Sequence, residues 1–335
     1  MVSIKDIARA LSVSPSSVSL VLTGKAKERR ISDGLSDKII AKAEEMGYQP
    51  NRAAVSLRTG KSKTIGLIVE NIANHFFSSL AHTIQEEARH FHYNVVYCST
   101  ENDAQKGREV LQLLHNQQVD GYIITPTMGM EAEIEKLVKW KKPLVLMDRN
   151  LPGLKVPFVM VDNYQGVYEG MDYLIKKGNR KIGFVLVNLN MVHMQEREKA
   201  YVDALRKNAI PFEAERLLRL DYSVSKEEAV AHITRYLTKQ SDLEAIFFAT
   251  NYLGIYGLLS MKELGLRIPA DIKMLCFDDH DAFELYRPAI TVVQQPIQEI
   301  ARTALALLVA KLGHAKSPRK TQILIPPELL IRSSV

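Results

Sequence analysis

The chain has 335 residues, with 44 Lys and Arg against 38 Asp and Glu, for a formal net charge of +6. That length accommodates two or three domains, and 46% hydrophobic with 24% charged residues is typical of folded globular proteins rather than disordered ones. No run approaches the roughly 18 apolar residues of a membrane span, and the N-terminus lacks the apolar core of an export signal. Two cysteines exclude a disulfide framework. We therefore expect a cytoplasmic protein without a membrane span.

The positive charge is concentrated at the N-terminus. Residues 1–60 contain ten Lys and Arg against six Asp and Glu, a net charge of +4, whereas the other 275 residues share +2. A basic head on a near-neutral body is typical of a protein whose N-terminal segment binds a polyanion. A solvated charged surface would give the same count, so charge alone leaves both interpretations open.

The first 47 residues show the periodicity of three short helices. Helical spacing of apolar residues predicts the first one, at Ile4, Ile7, Ala8 and Leu11. Ser14 as N-cap and Pro15 as first residue begin a second helix, which ends at Thr23-Gly24. A third helix, capped by Ser32, would pack four residues onto this pair: Ile39, Ile40, Ala43 and Met46. The first two helices form a helix-turn-helix, although three amphipathic helices also occur in purely structural bundles.

A fourth short helix is predicted over residues 51–58, because Pro50 breaks the third helix and Asn51 can cap another. Eight residues are too few for a helix that is stable alone. A helix that forms only when something holds it suits the coupling of two domains. We therefore predict an N-terminal helix-turn-helix domain over 1–50, a hinge helix and linker over 51–62, and a body over 63–335.

The body alternates apolar runs with helix-length amphipathic segments. Ten runs have the unpatterned, β-rich composition of buried parallel strands, at 64–69, 94–98, 121–125, 144–148, 158–162, 181–187, 245–250, 272–277, 290–294 and 322–326. So many strands predict an α/β fold with two lobes, each built on a parallel sheet. Ligands of such folds bind beyond the carboxyl ends of the strands, so a cleft is expected there.

The chain resembles the lactose-repressor (LacI) family of bacterial transcription regulators over essentially its whole length. The segments that carry the resemblance are IKDIARALSVSPSSVSLVL, GYQPNRAAVSLRTGKSKTIGLI, NHFF, VDN, and FDD followed by P.IT.V.QP. It implies a periplasmic-binding-protein-like body with crossovers near Val161, Ala289 and Thr321. The N-lobe would then hold about 63–161 and 290–320, and the C-lobe about 162–289 and 321–335. It also implies a homodimeric, non-enzymatic regulator, expected to be a repressor, that binds palindromic operator DNA under the control of a small-molecule effector.

The resemblance implies which head residues contact DNA, with the second helix in the major groove and paired hinge helices in the minor groove. The candidates are Ser14, Pro15, Ser16, Ser17, Leu20, Lys25, Lys27, Arg29, Asn51, Arg52, Ala54 and Leu57. Leu57 would be the apolar lever that wedges into the central base step. Leu20 stands where Arg is common, and the loop from Gly24 to Ser32 is longer than usual and carries four basic residues, Lys25, Lys27, Arg29 and Arg30. We hypothesise phosphate contacts by this loop and an operator that differs from the common family site.

Polar and aromatic residues near the strand ends are the candidate effector ligands: Asn74, Phe76, Asp148, Arg149, Arg197, Tyr222, Asn251 and Asp278. Such groups suit a carbohydrate-type, polyhydroxylated effector, whose hydroxyls pair with the polar groups and whose apolar face stacks on a ring. The resemblance implies that Asp148, Arg197, Asn251 and Asp278 hold it. Tyr252 replaces a common Asp and Arg149 adds a positive charge. We hypothesise an anionic sugar, the alternative being an ion pair between Arg149 and an acid across the cleft.

Other classes of function stay open at this stage. A solute-binding protein would share the body fold, and an α/β enzyme would share its strand pattern. No catalytic, phosphate-loop or metal-binding motif is present, so we expect no enzymatic activity, no cofactor and no metal. Among regulators, a purine corepressor is the alternative to a sugar effector.

Overall fold

The computed structural model describes residues 2–49, 59–316 and 319–335, and divides into two compact units, Met1–Ser62 and Lys63–Val335. None of the helices in the described ranges is long and apolar enough to cross a membrane. Each unit has its own hydrophobic core. We call the first unit the head and the second the body.

The head contains the predicted helices: α1 (Ile4–Ala10), α2 (Pro15–Leu22) and α3 (Asp33–Glu45), with a short 3-10 turn at Lys27–Arg29. Its core is made of six small and branched side chains: Ile7, Ala8, Val18, Val21, Ile39 and Ala43. The prediction that Ile40 packs inward is wrong, because it is 44% exposed. Ile39 and Ala43, four residues apart, already form the buried stripe of this helix, and Ile40 lies beside it.

One lobe of the body, the N-lobe, is built on a fully parallel sheet with the strand order β11-β5-β4-β3-β1-β2. Its strands are β1 (Thr64–Val69), β2 (Asn94–Ser99), β3 (Gly121–Ile124), β4 (Leu144–Met147), β5 (Phe158–Val161) and β11 (Gln322–Ile325). The helices that accompany it are α4 (His75–Arg89), α5 (Ala104–Asn116), α6 (Glu131–Lys139) and α12 (Ile297–Lys311). The central strands are buried on both faces, as parallel strands covered by helices must be.

The other lobe, the C-lobe, has the strand order β12-β10-β9-β8-β6-β7, with only β12 antiparallel among the described strands. Its strands are β6 (Ile182–Asn188), β7 (Leu217–Asp221), β8 (Ala245–Phe248), β9 (Lys273–Phe277), β10 (Thr291–Gln294) and β12 (Glu328–Leu330). Its helices are α7 (Asn163–Lys176), α8 (Val192–Lys207), α9 (Lys226–Lys239), α10 (Asn251–Leu264) and α11 (Asp281–Leu285), together with a 3-10 turn at Ala214–Arg216.

The expected lobe boundaries are wrong at two of the crossovers. The resemblance places 290–320 in the N-lobe and 321–335 in the C-lobe, but β10 pairs with β9 in the C-lobe and β11 pairs with β5 in the N-lobe. The chain therefore crosses after β10 and after β11, rather than before each strand. Both strands are short and apolar, and nothing local to such a strand specifies which of two similar sheets it joins.

Candidate functional sites

In the head, the geometry of α2 follows from its first four residues. Ser14 Oγ accepts a hydrogen bond from the Ser17 backbone N–H at 3.0 Å and lies 2.8 Å from Ser17 Oγ, which satisfies one of the free donors at the helix start. Val18 anchors the opposite side of the helix in the core. Pro15 and Ser16 are exposed. The candidate DNA residues thus divide into capping hydroxyls, which position the helix, and an exposed pair that is free to contact a groove.

The basic loop after α2 begins at Gly24, whose φ of +73° lies in the left-handed region that glycine adopts without strain. Lys25, Lys27 and Arg29 are exposed along it, whereas Leu20 on the preceding helix is half-buried. Exposed ammonium and guanidinium groups on a loop can reach phosphates without disturbing a core. The hinge candidates lie outside the described residues: Asn51, Arg52, Ala54 and Leu57.

In the body, the ends of the strands bring seven of the eight effector candidates around one small cavity between the lobes. These residues are Asn74, Phe76, Asp148, Arg149, Arg197, Asn251 and Asp278. The cavity measures about 50 Å³. Tyr222 lines an adjoining cavity of about 330 Å³, which shares Glu70, Asn74, Val187 and Tyr252 with the first. The residues that the strand-end rule predicted therefore lie around one cavity, except Tyr222, which lines the adjoining one.

Arg197, on α8, is fixed from several sides. Its guanidinium stacks on the Phe277 ring at 3.6 Å, and its Nε donates to Asn163 Oδ1 at 2.9 Å. Its Nη1 donates to the Ala249 carbonyl and lies 3.8 Å from Asp278 Oδ2. Burial lowers the pKa of Arg197, while the nearby carboxylates oppose that shift. Asn163 begins α7 directly after the first crossover, so this side chain ties the cleft to a segment that connects the lobes.

Arg149 is paired within its own lobe. Its Nη2 forms an ion pair with Glu70 at the end of β1, and its Nη1 donates to Asn102 Oδ1 at 2.5 Å. Its Nε lies 3.5 Å from Asp148 Oδ2. Burial lowers the pKa of Arg149 to about 10, so the group stays protonated at neutral pH. The expected ion pair exists, but its acid belongs to the same lobe and not to the opposite side of the cleft.

The cleft carboxyls are themselves perturbed. Burial, opposed by Arg197 and reinforced by Asp278, raises the pKa of Asp148 to about 7. Burial also raises the pKa of Asp278, which accepts a hydrogen bond from Gln295 Nε2 at 2.7 Å. Burial, together with both arginines, lowers the pKa of His193. The histidine is therefore neutral, and Asp148 is a cleft group that changes charge near neutral pH.

Sequence reasoning missed several residues of this cleft. Glu70 and Gln295 directly follow β1 and β10, so the strand-end rule that selected the other candidates applies equally to them. Asn102 and His193 come three and five residues after the ends of β2 and β6, so the same rule could also have found them. Tyr252, noted in the sequence only as a departure, lines both cavities.

Comparison with known proteins matches two family models. Residues 3–51 match the model described as bacterial regulatory proteins of the lacI family, and residues 171–335 match a periplasmic binding protein-like domain. The first range lies within the head and the second within the body.

Curated relatives cover the whole chain. The ribose operon repressor of Haemophilus influenzae is 29% identical over 336 residues, covering 100% of this chain and 99% of its own length. The transcriptional repressor PurR of Mannheimia succiniciproducens is 26% identical with the same coverage. The crystal structure of the transcription regulator CcpA of Lactococcus lactis has the same fold, with a TM-score of 0.73 at 23% identity over 81% of this chain and 98% of that one. The chain is therefore similar over its whole length to transcriptional repressors, and its residues 3–51 match the lacI-family model of bacterial regulatory proteins.

Proposed function

We propose that this chain is a homodimeric repressor that binds palindromic operator DNA through its head and responds to a small polyhydroxylated effector in its cleft. The observation that carries the proposal is the joint presence of a capped, exposed α2 and a cleft lined by both lobes. The first can contact a groove, and the second can hold a ligand that senses the position of the lobes.

A dimer is expected because one helix-turn-helix reads only a half-site. Two heads related by a twofold axis match two half-sites of a palindrome about one helical turn apart. The predicted hinge helices over 51–58 would pair between them, with Leu57 wedged into the central step. An apolar wedge costs unstacking energy and gains contact surface on the bent duplex.

The coupling follows from which lobe supplies each cleft residue. Asn74 belongs to the N-lobe, whereas Tyr222 and Tyr252 belong to the C-lobe, and all three line the larger cavity. A ligand that contacts both sets favours one arrangement of the lobes over another. For a typical coupling free energy of about 1–3 kcal/mol, operator affinity would change roughly 5- to 150-fold.

The charge balance of the cleft favours an effector without a negative charge. Arg149 already has Glu70 and Asn102 as partners, and Arg197 has the Ala249 carbonyl and Asp278. An anionic sugar would have to displace one of these acceptors. We therefore replace the hypothesis of an anionic sugar, such as a sugar phosphate or uronate, with that of an uncharged or cationic sugar.

A purine corepressor is the second candidate, because several curated relatives are named PurR. A planar base could lie against the rings of Tyr222 and Tyr252. A thermal-shift screen with sugars and purines separates the two, since a ligand at 100 times its dissociation constant adds about 2.7 kcal/mol of stability.

Selection of duplexes from a random library by the full chain tests the DNA-binding part. We expect a palindromic site bound at least about 10³-fold more tightly than scrambled DNA. Leu57→Ala should weaken binding to that site far more than to scrambled DNA. Recovery of no common sequence would contradict the proposal, and equal losses on both duplexes would contradict the lever.

A further inference from the structure

We propose that the effector carries a protonated amine, and that its ring occupies the larger cavity of the cleft. This cavity, which we call the tyrosine compartment, is lined by Tyr222, Tyr252 and Tyr256 on one side and by Asn71 and Asn74 on the other. The inference rests on the proposed function, because it concerns the ligand of the same cleft.

The volumes of the two cavities indicate which of them can hold the ring of the effector. Ligand pockets commonly measure about 300–1,000 Å³. The cavity around Asp148 and Asp278, at about 50 Å³, holds little more than water, because Arg149 and Arg197 occupy much of that region. The tyrosine compartment, at about 330 Å³, has room for a single ring. In this arrangement of the lobes, a ring therefore enters the tyrosine compartment.

The charged residues that line the tyrosine compartment indicate the charge of the ligand that it can hold. Among the described residues that line the compartment, none is Lys, Arg or His, whereas two are acidic, Glu70 and Asp221. Glu70 is neutralised by Arg149, but the exposed Asp221 has the neutral Asn188 as its hydrogen-bond donor, at 2.8 Å. An anionic ligand would find a carboxylate and no lining cation. A protonated amine would gain that carboxylate as a partner.

The tyrosine rings also favour the binding of a protonated amine. The Tyr252 and Tyr256 rings meet at 66° with centroids 5.9 Å apart, and both residues line the compartment. Aromatic faces attract ammonium groups, and they also stack on the apolar face of a sugar ring. Burial raises the pKa of all three tyrosines, so their hydroxyls stay protonated and can donate to ligand hydroxyls. A carboxylate, aromatic faces, hydroxyls and carboxamides together match an amino sugar.

Isothermal titration of the full chain tests this with three hexosamines, glucosamine, galactosamine and mannosamine, each beside its parent hexose and its uronic acid. We expect one hexosamine to bind about tenfold more tightly than its hexose, and the acid to bind most weakly. Asp221→Asn should bring the amine and the hexose to within about twofold. Glu215→Gln, which changes an exposed carboxylate of the C-lobe outside the compartment, should leave the preference intact.

The tyrosine faces are tested with Tyr256→Phe, which keeps the ring, and Tyr256→Leu, which removes it. Only the second should reduce the preference for the amine. Equal affinity for amine and hexose, tighter binding of the acid, or no binding by any of these probes would overturn the inference. Operator binding by the same preparation is measured in parallel. If operator binding is intact, only the ligand assignment fails, whereas its loss would contradict the proposed function itself.

Discussion

In the head, the described residues proposed to contact DNA lie mainly on the surface: Pro15, Ser16 and the basic loop are exposed over a small core. In the body, the candidate effector residues Arg149 and Arg197 are only 3% and 2% exposed, and each is held by several partners. DNA carries a high density of negative charge, so exposed cationic side chains are sufficient to bind it. The cleft of the body instead contains buried charged groups whose protein partners also stabilise the fold.

This difference between head and body predicts that removing a cleft arginine destabilises the body. Arg197→Met would leave Asp278 buried without its cationic neighbour, and breaking such a pair costs about 3–5 kcal/mol. Arg206→Met is the matched control on the same helix. Arg206 is exposed and pairs with Asp203 at 3.1 Å, so its loss should cost less than about 1 kcal/mol. Urea unfolding of the body measures both, and equal losses would show that the cleft network does not stabilise the lobe.

In the head, a core mutation should remove DNA binding while leaving the body intact. Ile39→Ala deletes a fully buried side chain, which costs about 2–5 kcal/mol in a unit too small to tolerate it. Ile40→Ala changes the adjacent, 44% exposed residue and should cost little. Fluorescence anisotropy with the selected duplex reports the head, and calorimetry reports the body. Loss of both transitions in Ile39→Ala would indicate one cooperative unit instead of two.

A smaller effect concerns pH. The pKa of Asp148 is raised to about 7 in the folded protein from an ordinary value of 3.8, so the folded state binds this proton more tightly. Its stabilising contribution is complete below pH 3.8 and is lost as pH rises through about 7. We expect the free energy of unfolding of the body to fall by about 1–3 kcal/mol between about pH 5 and 7.5.

The Asp148→Asn variant should show a shallower decline over that range. Asp271→Asn is the control, because its partner Arg267 lowers the pKa of this exposed carboxyl to about 2, well below the tested range. Parallel profiles for the wild type and Asp148→Asn would show that Asp148 does not titrate there.

The smallest effect is expected in the basic loop. Replacing Lys27 and Arg29 with Ala should reduce the slope of log affinity against log salt by about 0.9 for each phosphate that the variant no longer neutralises. Lys42→Ala is the control in the same head, because this lysine pairs with Glu45 at 2.8 Å. An unchanged slope in the double variant would remove the loop from the DNA interface.

Much of the fold could be predicted because its signals are local. Ten strands begin and end within a residue or two of the apolar runs, since buried parallel strands exclude polar residues from both faces. The strands β7 and β12 were not predicted because Arg219 and Asp221 interrupt the first, and the second is only three residues long and begins with Glu328. The sheet that receives β10 or β11 depends on long-range pairing, which no local pattern encodes.

The candidate site was predictable to the same extent. Strand ends identified Asp148, Asn251 and Asp278, because the parallel topology places these positions at one edge. The pairing of Arg149 with Glu70 was not predictable, since these residues are far apart in the chain and meet only when β1 and β4 join one sheet. That contact removes the basis for an anionic effector, whereas the proposed amine rests on Asp221.

The coupling between head and body is the central claim, and operator affinity with and without a bound effector tests it most directly. A ligand that raises the melting temperature of the body should change the affinity of the full chain for its selected operator by roughly 5- to 150-fold. A ligand that stabilises the body yet leaves operator affinity unchanged would contradict the coupling.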